Sequence, residues 1–116
     1  MGRLVYAGAA ESYKIDDRVL AHLELAIGAK FRLGDSFAFT IDGDIVPSGK
    51  GYRVLWMHPA IQLQFRYDTE RSSIAINPAW VGVLVSSAST EGGLRIVPEP
   101  DRPHLSAAPR DRPIFG

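Results

Sequence analysis

The clearest periodic signal in the chain lies at residues 17–33, DRVLAHLELAIGAKFRL, where Val19, Leu20, Leu23, Ala26, Ile27 and Phe31 recur every three or four positions. That spacing predicts an amphipathic helix over 17–33. Asp16 stands where its carboxylate caps the free amides, Ile15 before it is placed to pack on Leu20, and Gly34 supplies a left-handed stop. Arg18, Glu24, Lys30 and Arg32 fall off the apolar stripe and are expected to face water, and His22 reads as a surface histidine of the same helix.

A different period governs residues 61–67. Ile61, Leu63, Phe65 and Tyr67 alternate with Gln62, Gln64 and Arg66, the pattern of a strand with one dry face. RLVYA, YKI, SFAFTI, YRVLWM and LRIV read as five further strands. The HPA between two of them is a tight corner in which His58 is expected to hydrogen-bond. A second helix starts at Asn77 as cap with Pro78 in the first position, Ile76 ready to staple onto Val81, and Gly92 or Gly93 as stop. Val81, Leu84, Val85 and Ala88 form its buried stripe, but its valines, serines and glycine are mediocre helix formers, so tertiary packing must hold it.

The order β-β-α-β-β-β-α-β describes an α+β fold: one domain over residues 1–97, a mostly antiparallel sheet of five to six strands with both helices on one face. Residues 98–116 hold five of the eight prolines and little apolar material, so a Pro-rich extended or disordered tail is expected there.

Composition narrows the chemistry. With 116 residues the chain has room for one core. Thirteen basic and thirteen acidic residues cancel, so no overall field draws the protein to a phosphate backbone, though a local patch remains open. The lack of cysteine removes disulfides, thiolate nucleophiles and cysteine-based metal sites. No apolar run is long enough to span a bilayer, and the opening MGRLVYAGAAESYK carries no signal-peptide core, so a cytoplasmic location and no membrane partner are expected. Gly2 is not a lipidation site, because Tyr6 stands where Ser or Thr is needed.

The stretch TIDGDIVPSGKG, residues 40–51, nearly spells two nucleotide-binding signatures. A P-loop needs four residues between its glycines and a hydroxyl residue after the lysine; here five residues separate Gly43 from Gly49, and Gly51 follows Lys50. The loop also joins two strands, so no helix dipole stands behind it. The lysine-first motif K-x-D-G of nucleotidyltransferases fails too, since Thr40 occupies the position of the amine. The segment reads as a glycine-rich turn with Lys50 solvated at its tip. His22, His58 and His104 lack metal-binding spacing, no G-x-S-x-G elbow occurs, and Asp42, Asp44, Glu70 and Glu91 fall at turns. No catalytic, metal or cofactor-binding residue is assigned, and no cofactor is expected. The aromatics Tyr6, Tyr52, Tyr67, Trp56 and Trp80 read first as core, because Arg53 and Arg66 alternate away from the aromatic faces of their strands.

The segments GRLVYAG, IDDRVLAHLELAIGAKFRLGDSFAF, LWMHPAIQLQFRY, INPAW and GGLRIVPEP, taken in order, resemble a group of small actinobacterial proteins of unknown function, over about residues 2–100. Some members carry the label ATP-dependent DNA ligase. The resemblance implies at most a module associated with DNA repair machinery. It carries over no site residues, and this chain lacks the nucleotide-accepting lysine.

Two readings follow. The first is a non-catalytic cytoplasmic protein-interaction module, self-associating as a homodimer through a sheet edge or outer face, with Tyr52, Val54 and Trp56 as the candidate surface. The alternative is a DNA-associated accessory protein without ligase chemistry, contacting nucleic acid through Lys30, Arg32, Lys50, Arg53 and Arg66.

Overall fold

In the computed structural model the described residues are 1–8, 12–46, 49 and 51–101. Two strands open the chain, β1 (Gly2–Tyr6) and β2 (Ser12–Ile15), followed by helix α1 (Asp17–Arg32). Strands β3 (Phe37–Asp42), β4 (Tyr52–Met57) and β5 (Leu63–Arg66) come next, then helix α2 (Pro78–Ala88) and the short strand β6 (Leu94–Arg95). Single 3₁₀ turns at Gly43–Ile45 and Arg71–Ser73 complete the elements. Lys50, His104 and residues 102–116 of the expected tail lie outside the described residues.

The α+β order is the expected one, but the strands divide between two three-stranded sheets, β2-β1-β5 and β4-β3-β6. The division happens at the HPA corner. There the His58 Nδ1 accepts from the Ala60 amide at 3.0 Å and the His58 carbonyl accepts from the Ile61 amide at 2.9 Å. This tight turn sends β5 away from β4 and alongside β1, with Leu4 opposite Phe65. In the second sheet β4 is antiparallel to β3 while β6 is parallel to it. The Tyr6 hydroxyl donates to the Trp56 carbonyl at 2.6 Å, tying β1 of one sheet to β4 of the other.

Both helices start as their caps dictate. Asp16 accepts from the Arg18 amide and Asn77 from the Ala79 amide, each satisfying an orphan donor of the first turn. The first helix stops at Leu33 and Gly34, the latter at φ 76°. The second ends at Ala88, capped by Ser89, four to five residues before the expected glycines. Gly93 instead leads into β6. At φ 76° it brings the chain so close to β3 that a Cβ there would collide with the Ala38 carbonyl oxygen.

Leu4, Ile15, Leu20, Leu23, Ile27, Phe39, Ile41, Met57, Leu84 and Leu94 meet in one core drawn from both sheets and both helices. Each fully buried side chain of this kind contributes about 1.5–3 kcal/mol. One shared core is what makes two small sheets a single domain.

The two helices lie side by side and run in the same direction. His22 in the first half of α1 meets Asn77 at the start of α2, and Lys30 in the last turn of α1 meets Ser89 at the end of α2. Consequently α1 is buried on two faces, one under the sheets and one, through His22, Ala26 and Lys30, against α2. This corrects two expectations. His22 is fully buried rather than on the surface, and Lys30, at 7% exposure, does not face water. The Lys30 ammonium pairs with Asp35 at 3.0 Å and donates to Ser89 Oγ at 2.8 Å, at a helix end that favours positive charge.

Candidate functional site

The outer face of the β4-β3-β6 sheet is the feature folding does not account for. Phe37, Phe39 and Ile41 of β3 with Leu55 and Met57 of β4 take the inner face. Alternation therefore turns Tyr52, Val54 and Trp56 outward, in register with Asp42, Thr40 and Ala38 of β3. Tyr52 is 65% exposed, Val54 56% and Trp56 58%, a continuous apolar row along one strand. Arg95 of β6 sits beside Thr40 on the same face. Thr40, Asp42, Gly51, Tyr52, Val54 and Arg95 line a shallow groove there. Among the described residues neither Asp42 nor Arg95 forms an ion pair.

Since β4 is an edge strand, its backbone is a second contact surface, but the Tyr6 hydroxyl already occupies the Trp56 carbonyl. The side-chain face is the more open of the two surfaces. Of the aromatics expected in the core, Trp80 is buried and Tyr6 and Tyr67 are half-buried, whereas Tyr52 and Trp56 are outside.

A polar network built on the buried His22 and Asn77 lies at the shared N-terminal end of the helices. His22 Nε2 accepts from the Asn77 amide at 2.8 Å while Nδ1 lies 2.7 Å from the Arg18 carbonyl, so the ring is neutral with its proton on Nδ1. Burial lowers its pKa, and Trp80 packs against it at a ring separation of 4.4 Å. Arg18 forks onto Glu99 at 2.7 and 3.0 Å and donates to the Ala75 carbonyl at 2.6 Å. Asn77 donates from Nδ2 to Glu99 at 2.8 Å and to the Pro100 carbonyl at 3.0 Å. Trp80 Nε1 donates to the Val97 carbonyl at 3.0 Å. The Arg18 and Asn77 hydrogen bonds hold the Glu99 carboxyl at a pKa of about 2. Residues 97–100 are thereby strapped across both helices. With both ring nitrogens of His22 committed, the network is a structural lock and offers no free acid or base.

Two smaller clusters are built the same way. Burial raises the Asp17 pKa, but hydrogen bonds from the Thr69 hydroxyl, the Thr69 amide and the Asp68 amide outweigh it and leave the carboxyl below its ordinary range. Burial, followed by its bond to Glu24 at 2.5 Å, raises the Tyr67 phenol; Arg71 approaches the same carboxylate at 3.4 Å. No group of three residues able to hold a metal occurs among the described residues.

The cations singled out for DNA contact are not gathered into one patch. Lys30 is buried between the helix ends, Arg32 is exposed at the end of α1, Arg53 is half-buried on β4, and Arg66 is exposed on β5. Lys50 lies outside the described residues. Sequence periodicity missed the neighbours of Arg66, because strand register brings Arg3 beside it and Lys14 to the far side of Arg3, and no local pattern encodes that pairing.

The chain belongs to a family described as a domain of unknown function, DUF7882, whose model matches residues 1–99. No curated protein and no solved structure matches it. The family match ends at Glu99, the residue that closes the lock.

Proposed function

We propose that this protein is a non-catalytic cytoplasmic interaction module that binds a second copy of itself through the outer face of the β4-β3-β6 sheet. The observation that carries the reading is the row Tyr52, Val54 and Trp56, each more than half exposed. Single exposed apolar residues are ordinary, but a contiguous row on a flat sheet marks a contact surface. Tyrosine and tryptophan are also the residues that most often dominate binding energy.

A second copy suits this face because it carries one charge of each sign, Asp42 and Arg95, beside the apolar row. A two-fold arrangement lets each charge meet its opposite. The non-catalytic part rests on the histidines: His22 is spent in the lock and His58 in its corner. No helix among the described residues is long and apolar enough to cross a membrane.

Light scattering coupled to size exclusion tests the reading. At high micromolar concentration the parent runs as a dimer, and Val54→Lys runs as a monomer with an unchanged circular dichroism spectrum. A monomeric parent, or a Val54→Lys variant that keeps the dimer mass, removes the proposal.

A further inference from the structure

The outer face of the other sheet departs from a folding rule of its own. Arg3 of β1 lies directly opposite Lys14 of β2 on one side and directly opposite Arg66 of β5 on the other. All three are exposed, since Leu4, Tyr13 and Phe65 take the inner face. Neighbouring strands are about 4.8 Å apart, so the three charges form a straight row spanning about 10 Å. Like charges directly opposite each other destabilise a sheet, and this row contains two such pairs.

No described ion pair offsets them. Arg3 donates to Ser12 Oγ at 3.2 Å, and no described carboxylate pairs with Arg3, Lys14 or Arg66. Asp68, just beyond β5, is engaged by the N-terminal ammonium at 3.4 Å. Of the flanking positions, Ser12, Val5 and Gln64 contribute no acid on one side, and on the other the Asp16 carboxylate accepts from the Arg18 amide. An arrangement that costs stability and gains no ionic partner among the described residues points to an external anion.

We propose that the row Lys14, Arg3 and Arg66 binds the phosphodiester backbone of nucleic acid. The row crosses all three strands of the sheet, with Arg3 on the central one. No aromatic side chain belongs to the outward set, so bases are not stacked. The only apolar member, Val5, is half-buried and cannot enter a lipid layer. What remains is phosphate contact, in which the two guanidinium forks match phosphate oxygens and sequence is not read. This surface shares no residue with the face proposed for self-association.

Fluorescence polarisation with a labelled DNA duplex, on the full chain, decides the matter. Three phosphate contacts predict a log–log salt slope of about −2.7, so binding weakens about fortyfold between 50 and 200 mM salt. The double variant Lys14→Gln, Arg66→Gln keeps one contact and a slope near −0.9, which is about a threefold loss over the same range. Its melting temperature stays at or above the parent's, because the opposed charges are gone. Arg32→Gln, a change of the same kind at the end of α1, leaves the slope as it was. The proposal is overturned by absence of binding at 50 mM salt, by a double variant with the parent's slope, or by an equal effect of Arg32→Gln. Equally tight binding to phosphatidylserine vesicles also overturns it.

Discussion

Around His22 polar groups sit in the interior, whereas along β4 large apolar groups sit in water, and the two regions resolve their departures differently. Each nitrogen of His22 has a partner, the Glu99 carboxylate receives bonds from both Arg18 and Asn77, and the Trp80 indole finds the Val97 carbonyl. Every one of these partners is in the same chain. Tyr52, Val54 and Trp56 expose more than half of their surface, and Asp42 and Arg95 beside them have no described ionic partner. A departure that closes within the chain belongs to the fold; one that stays open belongs to whatever the protein meets. The cation row on the first sheet falls on the open side of that division.

The closed region is disrupted most directly at His22. His22→Ala strands the Asn77 amide and opens a cavity against Trp80, and the two losses together amount to about 3 kcal/mol or more. Urea unfolding measures this. A cost below about 1 kcal/mol means that the ring fills space without locking the helices together.

Acid tests the other half of the lock. Glu99 has its carboxyl lowered from 4.5 to about 2, so its contribution is complete above the ordinary carboxylate value and is lost as pH falls from there towards 2. His22 adds to this in the same sense: with its folded pKa lowered by burial, the unfolded chain takes up the proton first, and stability falls as pH drops through the ordinary histidine range. Thermal melts across acidic pH follow both. Glu99→Gln lowers the melting temperature at neutral pH and flattens the acid limb, with His22 and Asp17 supplying the dependence that remains. A variant with the parent's full acid slope shows that the strap at residues 97–100 is not held by that carboxylate.

These elements differ in how far the sequence exposed them. Local signals did well: the Asp16 and Asn77 caps, the Gly34 stop and the β5 alternation all depend on neighbours within four residues, and all form. What depended on distant neighbours did not show. The α1 stripe marks one buried face, and the second face through His22, Ala26 and Lys30 exists only because α2 lies alongside. Likewise YRVLWM reads as an ordinary strand whichever side is wet, and only its pairing with β3 assigns Trp56 to the outside. Alternation alone does place Tyr52, Val54 and Trp56 on one side of the strand, which is why that set is legible as a unit while the cation row is not. Arg3, Lys14 and Arg66 are far apart in sequence and meet only through register.

A milder change probes the boundary between closed and open regions. Tyr6→Phe removes the hydroxyl bond from β1 to the Trp56 carbonyl and costs about 1 kcal/mol in chemical denaturation. It also uncovers that acceptor on the edge of β4, so the variant self-associates at least as strongly as the parent. Weaker association means that Tyr6 positions the Trp56 side chain.

The smallest effect on the isolated chain is expected at the open face, and there concentration becomes the variable. Val54 is 56% exposed, so Val54→Lys removes little buried surface and changes the stability of a single copy by less than about 0.5 kcal/mol. If a second copy covers the face, folding of the parent is coupled to association, and its melting temperature rises with protein concentration. The lysine variant loses that dependence, because two copies cannot bury an unpaired ammonium. Parent and variant therefore melt together when dilute and part as concentration rises. Curves that separate at every concentration assign Val54 to the fold, and curves that never separate leave the face without the partner its exposure implies.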